Sequence, residues 1–319
     1  MFVRGAAGVD LRHAIVYDSI SVYKVQIRKL FTPEMPEYRH IISAAALETR
    51  LEDPAVRVLD CRYDLADADA GRSAYLDGHI AGAVFADLER DLSAPVTAGT
   101  GRHPLPTVAE FTQTLSRLGI DEKVDVVAYD AGNGAMAARA WWMLRWLGHD
   151  KVRLLDGGFA QWMLENRPTR NGHEAAIPRT FQACPRDDLI ITTGEIARHI
   201  GRIGLLRIVD ARDAIRFRGE VEPIDPIAGH IPGSMNLPLT DSLNEDGSWK
   251  SPAELGALWR DLLGNDPGVP WCVMCGSGVT ACHLAISGME AGLVEPRLYV
   301  GSWSEWIRDP GRPIGAAGD

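Results

Sequence analysis

Cys275 stands in the segment of this chain best suited to chemistry: Trp271-Cys272-Val273-Met274-Cys275-Gly276-Ser277-Gly278-Val279-Thr280-Ala281. An apolar run that reads as a buried strand ends at Met274, a short loop with two glycines follows, and a helical pattern starts at about Ala281. Gly276 and Gly278 are free to take φ > 0 at little cost. Successive backbone N–H groups then point inward at one atom, an anion-binding nest at a helix N-terminus. A cysteine in the first position of such a loop has its thiolate stabilised by those donors and by the helix dipole, and the thiolate is the nucleophilic form. The bland alternative is a free cysteine packed at the end of a core strand.

The chain repeats itself, which sharpens the choice. Val58-Leu59-Asp60-Cys61-Arg62 recurs as Ile208-Val209-Asp210-Ala211-Arg212, and Gly78-His79-Ile80-Ala81-Gly82 as Gly229-His230-Ile231-Pro232-Gly233. The stretch Leu154–Trp162 recurs as Leu298–Trp306. Offsets between 144 and 151 residues, in one order, mean two copies of one domain. The counterpart of Cys275 is Asp130, after the apolar strand Val124–Tyr129. One copy carries a nucleophile and the other a carboxylate.

The elements around these residues read as α/β. Short apolar strands (Val56–Leu59, Val124–Tyr129 and Val152–Leu155, then Leu205–Val209, Trp271–Met274 and Arg297–Val300) alternate with helical patterns such as Ala137–Leu147. Such alternation predicts in each copy a mostly parallel sheet with helices on both faces, and ligands beyond the carboxyl ends of the strands. The expected layout is an N-terminal extension (1–35), a first domain (36–168), a linker rich in Pro, Asn and Gly (169–186), and a second domain (187–319).

Bulk properties narrow the class. With 33 basic and 43 acidic residues the formal charge is −10, which disfavours nucleic acid and anionic membranes as partners. An anionic ligand must be captured by a local positive site working against the global field. No run of about 18 apolar residues suggests a membrane span, and Arg12, His13, Asp18 and Lys24 interrupt any secretory h-region. Five cysteines do not make a disulfide framework, and a reducing cytoplasm is the expected location.

The Gly-His-Ile-x-Gly segments in both copies, the Gly301-Ser302-Trp303-Ser304-Glu305-Trp306 stretch and the Cys275-Gly276-Ser277-Gly278-Val279-Thr280 loop resemble the tandem rhodanese-domain sulfurtransferases over roughly residues 36–314. The resemblance implies two rhodanese-like domains, the first inactive with Asp130 in place of the cysteine. It also implies a small anionic sulfur donor, a Cys275 persulfide, and an acceptor that is cyanide or a thiol, thioredoxin among the candidates. No metal or organic cofactor is implied. Amides of Gly276, Gly278, Val279 and Thr280 would hold the charge on the outer sulfur, an electrostatic role like that of an oxyanion hole. Thiosulfate enzymes of the animal type carry Arg-Lys after the cysteine, whereas Gly276-Ser277 is the pattern of mercaptopyruvate enzymes. In the latter the loop serine acts with a histidine and an acid of the first domain, here His103 and Glu89, where Asp is commoner in the family. Arg216 matches the family's carboxylate- or sulfonate-binding arginine, suited to a bidentate fork. Mercaptopyruvate enzymes have a second arginine after a Glu-Pro pair; here Glu222-Pro223 is followed by Ile224-Asp225-Pro226, a form similar to bacterial thiosulfate sulfurtransferases. The donor is therefore left between 3-mercaptopyruvate, favoured by the loop, and thiosulfate.

Other conspicuous residues have plainer readings. Cys272 lies inside a strand and reads as core; Cys61, Cys184 and Cys282 default to structural roles. His79 and His230 recur in both copies, which suggests a loop tied to backbone, and Asp60 and Asp210 read as strand-end acceptors. Trp141, Trp142 and Trp146 form a core stripe. A phosphatase on the same fold needs an arginine six residues after the cysteine; position 281 is alanine, and 275–292 holds no arginine. A non-catalytic binding module remains as the other class, set against the intact Cys275 loop.

Overall fold

Continuous apolar runs become central strands, because a parallel sheet covered on both faces buries every side chain of its middle members. In the first half the strands are β1 (Ile41–Ile42), β2 (Val56–Asp60), β3 (His79–Ile80), β4 (Val84–Phe85), β5 (Asp125–Tyr129), β6 (Val152–Leu155) and β7 (Thr169–Arg170). In the second they are β8 (Arg207–Asp210), β9 (Met235–Asn236), β10 (Trp271–Met274) and β11 (Arg297–Leu298). This computed structural model describes residues 38–202, 205–264 and 270–316, so the predicted extension 1–35 lies outside the described residues.

The first sheet has the order β1-β6-β5-β2-β4 and the second β11-β10-β8-β9, with every neighbouring pair parallel. A parallel bridge from Ile190 to Leu298 takes, beside β11, the place that β1 takes beside β6. The two sheets are thus one design used twice. Predicted strands fall within two residues of the observed ones, and the widest differences lie at two ends. Leu205 stays outside β8 and is 56% exposed, and the last predicted strand ends at Leu298 rather than Val300. The segment expected to begin the linker starts instead as β7, paired antiparallel with β3, so His79 faces Arg170.

The Ala137–Trp146 helix is buried on all sides, as is expected of a helix hydrophobic around its circumference. It packs on the matching Ala281–Glu290 helix of the second half. One apolar core therefore runs through both halves, from Leu154 and Trp141 to Val273 and Leu284. Polar ties join the halves as well: Glu290 accepts from the amides of Arg39 and His40, Asp156 from that of Trp249 at 2.9 Å, and Glu295 pairs with Arg145 at 2.7 Å. The Pro252–Leu263 helix begins with a capping box between Ser251 and Glu254 and with proline in its first turn. No helix among the described residues is long and apolar enough to cross a membrane.

Candidate active site

Strand β10 delivers Cys275 to the carboxyl edge of the second sheet, and the Ala281–Glu290 helix begins six residues later. Between them the amides of Ser277 and Gly278 donate to Cys275 Sγ at 3.5 and 3.1 Å. Those of Gly276, Val279 and Thr280, expected with that of Gly278 to hold the outer sulfur of a persulfide, make no hydrogen bond to Sγ. The glycines serve two different ends. Gly278 adopts φ +75°, and a Cβ there would meet Val300 O at 2.3 Å. Gly276 does not need a positive φ; it leaves room for Arg102, whose Nη2 would lie 2.8 Å from an added Cβ.

The first half supplies an internal control. Asp130 occupies the same position after β5, and its carboxylate accepts from the amides of Gly132 (3.0 Å), Gly134 (3.0 Å), Met136 (2.8 Å) and Ala137 (3.2 Å). This loop closes around an anion it carries itself. The same place in the second half carries a thiol instead of a carboxylate, and its cup faces Sγ.

The first half also reaches over the loop of the second. Ser277 Oγ lies 2.8 Å from His103 Nδ1, and His103 Nε2 lies 3.3 Å from Glu89 Oε1. Glu89 Oε1 also accepts from Tyr63 at 2.8 Å. The structure therefore brings Glu89, His103 and Ser277 together, the three residues that the family resemblance implied. Burial lowers the His103 pKa to about 4, against the opposing pull of Glu89. A neutral ring that donates from Nε2 to the Glu89 carboxylate has Nδ1 as acceptor, so the Ser277 hydroxyl donates to it.

Arg216 binds Glu222 through Nε (3.1 Å) and Nη2 (2.6 Å), and its Nη2 lies 3.4 Å from Asp225 Oδ2. Asp225 also accepts from Arg102 Nη1 of the first half, a bridge across the cleft. Burial pushes the Asp225 carboxyl up, opposed first by Arg102.

Three supports escaped the sequence reading. Arg139, fully buried on the Ala137–Trp146 helix, donates to Gly278 O at 2.9 Å and His103 O at 3.0 Å, clasping both walls of the site. One of two arginines in a helix that is otherwise apolar, Arg139 beside Arg145, was the available signal. Ser302 has φ +51° and accepts the Cys275 amide at 3.1 Å; its counterpart Gly158 has φ +55°, so a serine standing where the repeat has glycine marked the place. Gly101 lets the loop that carries Arg102 press on Gly301, whose carbonyl oxygen would lie 2.5 Å from an added Cβ.

Cys272 and Cys282 are fully buried, and burial raises each thiol to about 12; Cys61 is raised for the same reason, while Cys184 is exposed. His79 Nδ1 bonds Tyr75 O and His230 Nδ1 bonds Phe217 O, each at 2.8 Å. Asp60 and Asp210 each hold the arginine two residues on, Arg62 and Arg212.

This fold and site have relatives. The family described as rhodanese-like domain matches residues 43–165 and 192–309. The chain belongs to that family, with two copies of the domain. It is 49% identical over 281 residues to a Pseudomonas aeruginosa protein named "Probable 3-mercaptopyruvate sulfurtransferase", covering 88% of this chain and 98% of that one. To the thiosulfate sulfurtransferase of Rattus norvegicus it is 34% identical over 282 residues, 85% of this chain and 93% of that one. The solved 3-mercaptopyruvate sulfurtransferase from Leishmania major matches with a TM-score of 0.75 at 32% identity, covering 88% of this chain and 77% of that one.

Proposed function

We propose that this protein is a sulfurtransferase that takes sulfur from 3-mercaptopyruvate onto Cys275 and passes it to a thiol or to cyanide. The observation that carries the reading is the Glu89–His103–Ser277 chain beside a sulfur that two loop amides already hold. The Cys275 thiolate attacks the donor sulfur; the new S–S bond forms as the donor C–S bond breaks. The electron pair of that bond moves into the adjacent carbonyl as an enolate. The donor's thiol proton ends on the enolate carbon, giving pyruvate and a Cys275 persulfide anion. Ser277 and neutral His103, with Glu89 behind it, carry that proton and polarise the carbonyl. Gly276, Gly278, Val279 and Thr280 offer amides to the outer sulfur, and Arg216 holds the carboxylate. Cyanide then removes the outer sulfur as thiocyanate and restores the thiolate; a thiol such as that of thioredoxin takes it as a persulfide. The reaction suits a reducing cytoplasm.

Thiosulfate is the second reading, favoured by Glu222-Pro223-Ile224-Asp225-Pro226 and by the rat relative. Its leaving group is sulfite, which needs no proton on carbon, so the Ser277 chain would be idle. The test is kcat/KM for the two donors side by side with cyanide as acceptor. A clear preference for 3-mercaptopyruvate is expected, and a preference for thiosulfate overturns the donor assignment.

A further inference from the structure

The floor of the cleft holds a second guanidinium that the reading above does not use. Arg102, on the loop that carries His103, extends over the cysteine loop from the first half. A Cβ added to Gly276 would lie 2.8 Å from Arg102 Nη2 and 3.6 Å from Arg216 Nη2, so two arginines, one from each half, converge on the residue after the nucleophile. Asp225 stands between them, taking Nη1 of Arg102 on Oδ1 and Nη2 of Arg216 on Oδ2. Among the described residues, neither Arg102 Nη2 nor Arg216 Nη1 has a hydrogen-bond partner. The Arg102 backbone is fixed too, its amide donating to Ser304 Oγ at 3.1 Å while Ser304 donates its own amide to Gly276 O at 2.9 Å.

We infer that Arg102 is a substrate-binding residue: together with Arg216 it forms a two-guanidinium clamp, assembled across the cleft on Asp225, for the carboxylate of an α-keto acid donor. Two uncommitted N–H donors from separate forks match the two oxygens of one carboxylate, and each is charge-assisted. Asp225 and Glu222 offset the charge of the two guanidiniums, so the clamp recognises the carboxylate through directed N–H donors rather than through a net positive field. Because Arg102 belongs to the first half, that half contributes donor recognition as well as proton handling. Its neighbours are already paired: Arg212 holds Asp210 and Glu222.

The inference rests on 3-mercaptopyruvate being a donor, so the experiment separates the two claims. The full chain and its R102Q and R102K variants are assayed with 3-mercaptopyruvate and with mercaptoacetone, the corresponding α-mercaptoketone with a methyl group in place of the carboxylate. Loss of one charge-assisted contact predicts that R102Q raises KM for 3-mercaptopyruvate at least about tenfold. It should leave kcat within about threefold and leave kcat/KM for mercaptoacetone unchanged, and R102K should recover part of the loss. An unaltered KM overturns the clamp, and so does an equal loss on both donors, which marks Arg102 as a tie between the halves through Asp225. No turnover of 3-mercaptopyruvate by the unaltered protein removes the parent reading and the clamp together.

Discussion

At the scale of single residues, the proposed reaction separates holding sulfur from moving protons. Cys275 is 1% exposed, and the amides of Ser277 and Gly278 fix its sulfur. Ser277 serves both tasks, since its amide faces Sγ while its hydroxyl faces His103. Ser277→Ala keeps the amide and deletes the hydroxyl, so it should cut kcat/KM for 3-mercaptopyruvate by about 10²-fold, within the range of general acid–base contributions. Thiosulfate turnover should change little. Equal losses on the two donors would show that the hydroxyl only shapes the loop. Ser277 was indicated by the resemblance to mercaptopyruvate enzymes, whereas Cys275 could be picked out from the sequence because it opens a loop whose glycines announce its geometry. Arg102 could not, because its meaning comes from Asp225, 123 positions away. Arg139 was hidden in the same way: its acceptors are carbonyl oxygens, which carry no side-chain signature.

At the scale of elements, the two anion loops explain each other. The Asp130 loop carries its own anion on four amides, and the Cys275 loop has the same place after its strand with a sulfur instead. Comparing the repeats in sequence exposed that difference, and it exposed the long strands, whose buried runs stand out. Two-residue strands such as β1, β4 and β9 did not show, because two residues cannot display a period of two. Nor did β7, which is exposed on both residues and exists through its pairing with β3. The turn under Cys275 offers a test. Ser302 holds a left-handed φ that costs a non-glycine residue roughly 1–2 kcal/mol. Its hydroxyl offsets this by accepting from the Cys275 amide and donating to Tyr299 O at 2.8 Å. Ser302→Ala keeps the strain and loses both bonds, whereas Ser302→Gly loses the bonds and relieves the strain. Urea unfolding should rank the serine protein first, glycine next and alanine last, with alanine about 1–3 kcal/mol below the parent. Equal stability of the alanine and glycine variants would remove the strain from the account.

At the scale of the whole molecule, the halves meet through equivalent helices in one dry core. His283 lies in that contact, fully buried, stacked on Trp249 with ring centroids 4.0 Å apart, and neither ring nitrogen reaches a hydrogen-bond partner. Burial lowers its pKa to about 3, from 6.5 when unfolded. Between those values the unfolded chain binds a proton that the folded chain refuses, so this residue subtracts stability as pH falls from 6.5 toward 3. His283→Phe keeps the stack and removes the titration. Relative to the variant, the parent protein should lose stability across that window and match it more closely at pH 7, as read from urea midpoints. Parallel curves for the two proteins would contradict the assignment. His283 could not be singled out in the sequence, because its position in the helix looks like any other and only the docking of the second domain on the first removes water from it.

The central claim is that one cysteine of five carries sulfur between two substrates. It is tested most directly by mass spectrometry of the intact protein and its peptides after incubation with 3-mercaptopyruvate. The account predicts one added sulfur atom on the peptide bearing Cys275, released as thiocyanate by cyanide and never acquired by the Cys275→Ser protein. Added sulfur on the exposed Cys184 alone, or persistence of turnover in Cys275→Ser, would contradict it.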